Sequence, residues 1–575
     1  MSTHRLILGV QVLVGLLVLA EAFWWWERPS ALSPWVQWSP SGTSAGFQIQ
    51  DREPTTPAEG ATATLTFAFT SDLHGRISNT RLLPERKPSG LAHLVTVLQG
   101  LRVEHSDLVL LDAGDTIQGD PASFYFSHVH PDSGQPLPVI NAMNRLGYQA
   151  VVLGNHDFEP PVSVLQQTIA DSEFSWLSGN AWLDREGRWL LPPYLVLELQ
   201  GVRVGIVGFT TPGVPLWIDP ERIAGLVFGD LVDSARKWSE ILRERENVDL
   251  LIGVMHSGDD LRYDRDIAHL RKLPSPNAAG QVADHVPGYD LIVSGHAHKL
   301  RPRKPTSRLT RFRTPLLSPG SEGEGVSIAR FTLEAREARW HLRDSHFEFH
   351  KAARKPDAPL LAELEPQLAE VERYLAEPTW IVLKTRPTRK QLNACGSALQ
   401  HKAVAHAFGA DATTLLPGSW FLVDLPQAEL GQPVTRKHLF GWVPYDNTLV
   451  ETELFRRQIV QLLETHRRRL LGRRVRYSGW LVPGGIAAVL EGDRLRLEQK
   501  NGSSVSDTDS LRVWLTNYHA NGGSGLRDRA LVHPTQIRRR TGVFLRELLF
   551  TWLQELPEPL PVECQSWLAE SVVPT

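Results

Sequence analysis

The sequence predicts an α/β protein of at least two domains, and three observations carry that expectation. Its 575 residues exceed what one hydrophobic core organises. From Ala61 onward short apolar runs alternate with amphipathic stretches, the rhythm of strands followed by helices. A composition of 42% hydrophobic and 22% charged residues is that of an ordinary globular chain and excludes a disordered one.

The chain begins with HRLILGVQVLVGLLVLAEAFWWW over positions 4–26, where His4 and Arg5 precede an apolar run from Leu6 to Ala20 broken by Gln11. Spanning a bilayer takes about 20 apolar residues. Leu6 to Trp26 reaches that length if Glu21 lies near the far interface, beside Trp24–Trp26. Ala20-Glu21-Ala22 equally fits an A-x-A cleavage site. Residues 1–26 therefore read as a signal peptide or an N-terminal membrane anchor. Either places the remainder in the periplasm or outside the cell, with membrane contact through this segment if it is uncleaved. Residues 27–61, rich in Pro, Ser, Thr and Gly, read as a flexible tether.

TLTFAFTS, DLVLLDAG, QAVVLGNH, VRVGIVGFT, DLLIGVMH and DLIVSGHAH each read as a buried strand running into polar residues. GLAHLVTVLQGLR and VSVLQQTIADS read as helices between them. Such alternation argues for well-buried sheets, with a ligand site beyond the strands' carboxyl ends. DAPLLAELEPQLAEVERYLAE, residues 357–377 with Pro366 inside, reads as a helical connector, and a second mixed domain follows. Basic runs at Arg301–Arg313, Arg467–Arg476 and Arg538–Arg540 read as solvated faces. The first follows the last ligand motif directly, so a second reading for it is steering of an anionic substrate.

A formal net charge of -3 offers no overall field for a nucleic-acid polymer or a membrane surface. The two cysteines, Cys395 and Cys564, exclude a disulfide scaffold and a thiolate-rich metal site, while a single bridge between them stays open.

Five strand ends carry the chemistry: Asp72-Leu73-His74, Gly114-Asp115, Gly154-Asn155-His156-Asp157, His256 and Gly295-His296-Ala297-His298. Carboxylate, imidazole and amide oxygen without sulfur suit divalent Mn, Zn, Fe, Co or Mg. In D-x-H and H-x-H, an extended backbone would point residues i and i+2 to one side, so both reach one metal. Asp115 is placed to bridge two ions, and ions about 3.5–4 Å apart polarise a phosphoryl oxygen and generate a hydroxide nucleophile.

In this order the motifs resemble the calcineurin-like metallophosphoesterases, whose pattern is D-x-H, G-D, G-N-H-D/E, H and G-H-x-H. VINAMNRLGYQAVVLGNHDFE, PVTRKHLFGWVPYDNTLVETEL and LTNYHANGGSGL are similar to the 5′-nucleotidase and 2′,3′-cyclic phosphodiesterase branch. The resemblance implies a four-layer αββα domain over 62–350, a linker helix over 351–377 and a substrate-binding domain over 378–560. It implies one ion on Asp72, His74, Asp115 and His298, and another on Asp115, Asn155, His256 and His296. It makes His156 a catalytic residue that stabilises charge, paired with Glu159 where the branch has aspartate, with Asp157 as the alternative partner or a strand-end hydrogen-bonding residue. Tyr445 and Tyr518 would clamp a nucleotide base. Ser524 stands where the branch has a ribose-binding aspartate, and Phe421 where it has an arginine. The implied activity is hydrolysis of phosphate esters, nucleotides first. A likeness to sulfur-oxidation thiosulfohydrolases, and a non-catalytic tethered binding protein, are the other readings.

Overall fold

The computed structural model describes residues 35, 47–78, 82, 88–183, 187–260, 268–269, 271–309, 311–382, 389–409, 412–417, 432–472, 481–491, 494–499, 502–506, 508–522, 532–555 and 560–561. The apolar segment 4–26, Phe421, Ser524 and Cys564 lie outside these residues, as does the Cys395 side chain. Among the described residues no helix is long and apolar enough to cross a membrane.

Leu65, Phe67 and Phe69 alternate with polar or small residues along the strand Thr62–Thr70, so one face is uniformly apolar. That strand runs parallel to Val109–Asp112, Ala150–Val152 and Ser175–Leu177 in one six-stranded sheet, which Gly325–Arg336 and Arg339–Lys351 extend in antiparallel fashion. A second six-stranded sheet runs Val202–Thr210, Leu250–His256, Leu291–Ser294 and Leu316–Pro319 in parallel, with antiparallel Tyr194–Leu199 and Leu300–Arg301 at its edges. Leu65, Phe67 and Phe69 share a core with Val204, Ile206, Ile252 and Val254 between the sheets. Each such buried side chain contributes about 1.5–3 kcal/mol. Helices Leu91–Glu104 and Pro138–Leu146 cover the outer face of the first sheet, and Leu231–Glu244 and Ala279–His285 that of the second. The result is the four-layer αββα sandwich.

The connector is two helices rather than one, Ala358–Glu363 and Glu365–Ala376. Proline lacks an amide hydrogen and clashes with the preceding turn, so Pro366 is accommodated in the first turn of the second helix. A second domain follows. Its five-stranded sheet orders Leu481–Gly484, Thr413–Pro417, Ser510–Thr516, Thr448–Phe455 and Ile537–Phe544, with helices Arg389–Phe408 and Leu545–Glu555 on one side. Within the segment read as a tether, Gln50 N donates to Glu246 Oε1 (2.7 Å), Thr55 Oγ1 donates to Asp249 (2.9 Å), and Trp35 is 1% exposed. Those residues lie against the sandwich.

The domains meet at Asp446. Its carboxylate pairs with Arg546 and accepts from Gln118 Nε2 of the first domain (2.8 Å). The Arg546 guanidinium, 1% exposed, lies 3.6 Å from the Phe440 ring centroid and 4.5 Å from that of Phe124, an arrangement that cation–π attraction favours. Beside it, Arg540 pairs with Asp219 and Asn521 Nδ2 donates to the Trp217 carbonyl (3.2 Å). Arg546→Ala leaves Asp446 buried without its cation. It is expected to cost about 3–5 kcal/mol in chemical denaturation, and a loss below about 0.5 kcal/mol would contradict this role.

Candidate metal centre

The strands that carry the ligand motifs deliver them at or just past their carboxyl ends, and both sheets contribute. Asp72, His74 and His298 place ligand atoms within 4.8 Å of one another, and so do Asp115, His256 and His296. Asn155 Oδ1 joins the second group, 3.2 Å from His256 Nε2. All seven residues singled out as ligands therefore come together.

The backbone that presents them is not extended. Asp72, His74, Asp115, His296 and His298 have φ of 50°, 50°, 57°, 70° and 49°, a left-handed conformation costing non-glycine residues about 1–3 kcal/mol each. The tight turns keep Asp72 with His74 but send His296 and His298 to different groups, which corrects the single-metal reading of H-x-H. Gly114, at φ 93°, passes so close to its neighbours that a Cβ would lie 2.8 Å from both Gly154 N and Val152 O. Asp157 fastens these loops by accepting from the amides of Gly154 (2.8 Å), Asp115 (3.1 Å), Thr116 (2.8 Å) and Ile117 (3.0 Å). It is a loop fastener and not the partner of His156.

The histidine tautomers follow from their backbone contacts. His74 Nδ1 lies 2.9 Å from the Gln118 carbonyl and His256 Nδ1 lies 2.8 Å from the Ala113 carbonyl. A carbonyl only accepts, so both Nδ1 atoms carry the hydrogen and the Nε2 atoms of the neutral rings present lone pairs. His74 Nε2 then faces His298 Nε2 at 3.2 Å, and His256 Nε2 faces Asp115 Oδ2 at 3.0 Å. Each contact is favourable when a proton or a metal ion stands between its two atoms. Burial, then the charge of His298, pushes the His74 pKa down to about 4, and burial, then His256, pushes His296 down to about 3. Burial acts the same way on His256, but Asp115 outweighs it and holds the ring protonated up to about 9. That proton occupies the place of a cation. The donor set thus fits two divalent ions of the borderline or hard kind.

His156 stands beside both groups without joining either. Its amide donates to Asp115 Oδ1 (2.8 Å) and its Nδ1 lies 2.6 Å from Glu159 Oε1. Burial disfavours the imidazolium, but Glu159 and then Asp115 overcome it and raise the pKa to about 10. Tyr445 and Tyr518 line the same cavity of about 540 Å³ as His156 and the ligands Asp115, Asn155, His296 and His298, together with Asn447 and Asn517. Sequence reasoning missed Gln118, whose carbonyl orients His74 while its amide reaches Asp446. It also missed Trp217, whose ring centroid is 5.2 Å from that of His296. Neither residue type announces such a role, and the Ala113 carbonyl is invisible to any sequence pattern.

Fold and site together define an αββα protein with paired metal-ligand groups at the carboxyl ends of its strands. Residues 65–300 match the family described as calcineurin-like phosphoesterase, and this chain carries a domain of that family. It is 27% identical over 338 residues to a 2′,3′-cyclic-nucleotide 2′-phosphodiesterase/3′-nucleotidase of Yersinia enterocolitica, covering 55% of this chain and 50% of that protein. It is 24% identical to a 5′-nucleotidase of Vibrio vulnificus, covering 87% and 91% of the two chains. The crystal structure of a putative 5′-nucleotidase from Staphylococcus aureus in complex with α-ketoglutarate shares the fold, with a TM-score of 0.68 at 19% identity, over 87% of this chain and 99% of that one. The chain spans about half the length of the first curated relatives it matches.

The His156–Glu159 pair has a pH signature. A histidine whose folded pKa is raised contributes stability that is present below its unfolded pKa of about 6.5 and lost as pH rises through the folded value. In chelator, the stability difference between wild type and Glu159→Gln should be largest near pH 6.5 and close as pH approaches 10. A difference constant across that range would contradict the charged pair.

Proposed function

We propose that this chain is an exported hydrolase of phosphate esters that depends on two divalent ions, with nucleotides of the 5′-nucleotidase or 2′,3′-cyclic phosphodiesterase type as its substrates. The observation that carries the proposal is one cavity lined by members of both ligand groups, by charged His156 and by the two tyrosines. Asp72, His74 and His298 would hold one ion, and Asp115, Asn155, His256 and His296 the other, with Asp115 also placed to bridge. When bound, such ions polarise a phosphoryl oxygen and activate water.

The chain's own residues supply the rest. His156, kept charged by Glu159, stabilises negative charge developing on the phosphoryl group or protonates the leaving oxygen. Glu159 is a positioning residue that fixes the ring through Nδ1 and leaves Nε2 for the substrate. Tyr445 and Tyr518 hold the base, a contact that contributes about 1–3 kcal/mol per ring. Gln118 and Trp217 connect the ligand loops to the second domain, so the cavity is complete only with the domains together. Export rests on the apolar Leu6–Ala20 segment.

The test is hydrolysis of a 5′-nucleotide, a 2′,3′-cyclic nucleotide and an aryl phosphate with Mn, Co or Zn added back. Asp115→Asn should lower kcat at least about 100-fold. Tyr445→Ala and Tyr518→Ala should each raise KM for the nucleotide roughly 5- to 150-fold relative to the aryl phosphate. Equal behaviour of Asp115→Asn and wild type would sink the hydrolase reading, and equal loss on all substrates would sink the base clamp. Cell fractionation reads export, and protein confined to the cytoplasm would contradict it.

A further inference from the structure

Three cations converge on one buried carboxylate at the edge of the cavity. Asp259, whose side chain is 1% exposed, receives Lys299 Nζ at 2.6 Å on one oxygen, and Arg311 Nη1 at 2.8 Å and Arg301 Nη2 at 3.2 Å on the other. Within this group of four, three positive charges meet one negative charge. Burial pushes the Asp259 carboxyl up, but Lys299 and the two arginines outweigh it and hold it below the usual carboxylate range. Lys299 and Arg311 keep 43% and 53% of their side chains exposed, so their heads remain available to solvent. Arg301 Nη1 is buried and has no hydrogen-bond acceptor among the described residues. An anion arriving here would neutralise surplus charge.

The position of the group is fixed by the metal centre. Lys299 directly follows His298, and Asp259 lies three residues past His256, so both ends of the group hang on ligand loops. Lys299 also lines the cavity that holds His156, Tyr445 and Tyr518, and it is the one lysine or arginine among the described residues that do so. A substrate seated in that cavity comes within reach of this charge. We propose that Lys299, Arg301 and Arg311, gathered on Asp259, form an anion subsite for a second phosphoryl group of the substrate, one other than the group held at the metal centre. The subsite rests on the hydrolase reading above and narrows it to nucleotides carrying two phosphates.

Kinetics of the metal-loaded protein with adenosine 3′,5′-bisphosphate and adenosine 5′-monophosphate test this. The ratio of kcat/KM for the bisphosphate over the monophosphate should fall about tenfold or more in Lys299→Gln, fall less in Arg311→Gln, and recover in Lys299→Arg. An unchanged ratio in Lys299→Gln overturns the subsite. Running adenosine 5′-diphosphate alongside shows whether the second phosphate is read on the ribose or along a phosphate chain. If neither nucleotide is turned over by wild type, the hydrolase reading fails on its own. Calorimetric titration of the bisphosphate then decides the subsite: binding about tenfold tighter to wild type than to Lys299→Gln upholds it, and equal or undetectable binding overturns it.

Discussion

His256 Nδ1 is tied to the Ala113 carbonyl and its Nε2 stands 3.0 Å from Asp115 Oδ2, while His74 is tied to the Gln118 carbonyl and its Nε2 stands 3.2 Å from that of His298. Each contact needs a proton or a metal ion between its two atoms, and the His256–Asp115 one is fully buried, where charge is poorly screened. A fold that repeats this in two adjacent groups is stable around positive charge. The left-handed turns at five ligands and the four amide bonds to Asp157 are the means by which the loops are kept in so strained an arrangement. The αββα sandwich supplies the rigidity. Its parallel strands end side by side, and its inter-sheet core of Leu, Ile, Val and Phe fixes the two sheets' ends against one another.

The second domain enters this arrangement through polar contacts set beside an aromatic one, in which Phe124 packs against Phe440 and Phe544. Gln118 reaches Asp446, which is held by Arg546, and Trp217 accepts from Asn521. Both first-domain residues also touch a ligand histidine, so domain docking and ligand orientation share the same atoms. Tyr445 and Tyr518 flank these contacts and line the cavity that contains His156.

Much of this was legible from sequence because strand-end chemistry is local. Apolar runs breaking into Asp, Asn and His marked all seven ligands, and the family resemblance implied the pairing of His156 with Glu159. The backbone was not legible: i, i+2 spacing suggested extended chain at Asp72 and His296, whereas non-local packing of loops from two sheets forces φ positive there. Pro366 was visible, but its consequence, two helices where one was expected, depended on where the first helix ended. The long antiparallel strands Gly325–Arg336 and Arg339–Lys351 also escaped notice, and the second has a single buried residue and so no apolar face to announce it. The basic run from Arg301 was read as a solvated face. Only the fold reveals that Asp259, distant in sequence, gathers two of its arginines and Lys299.

Anomalous diffraction from crystals grown with Mn or Zn tests most directly whether the two ligand groups are ion sites. Two peaks are expected about 3.5–4 Å apart, one bounded by Asp72, His74 and His298 and the other by Asn155, His256 and His296, with Asp115 between them. No peak at either group, with His74 and His256 still bonded through Nδ1 to their carbonyls, would contradict it.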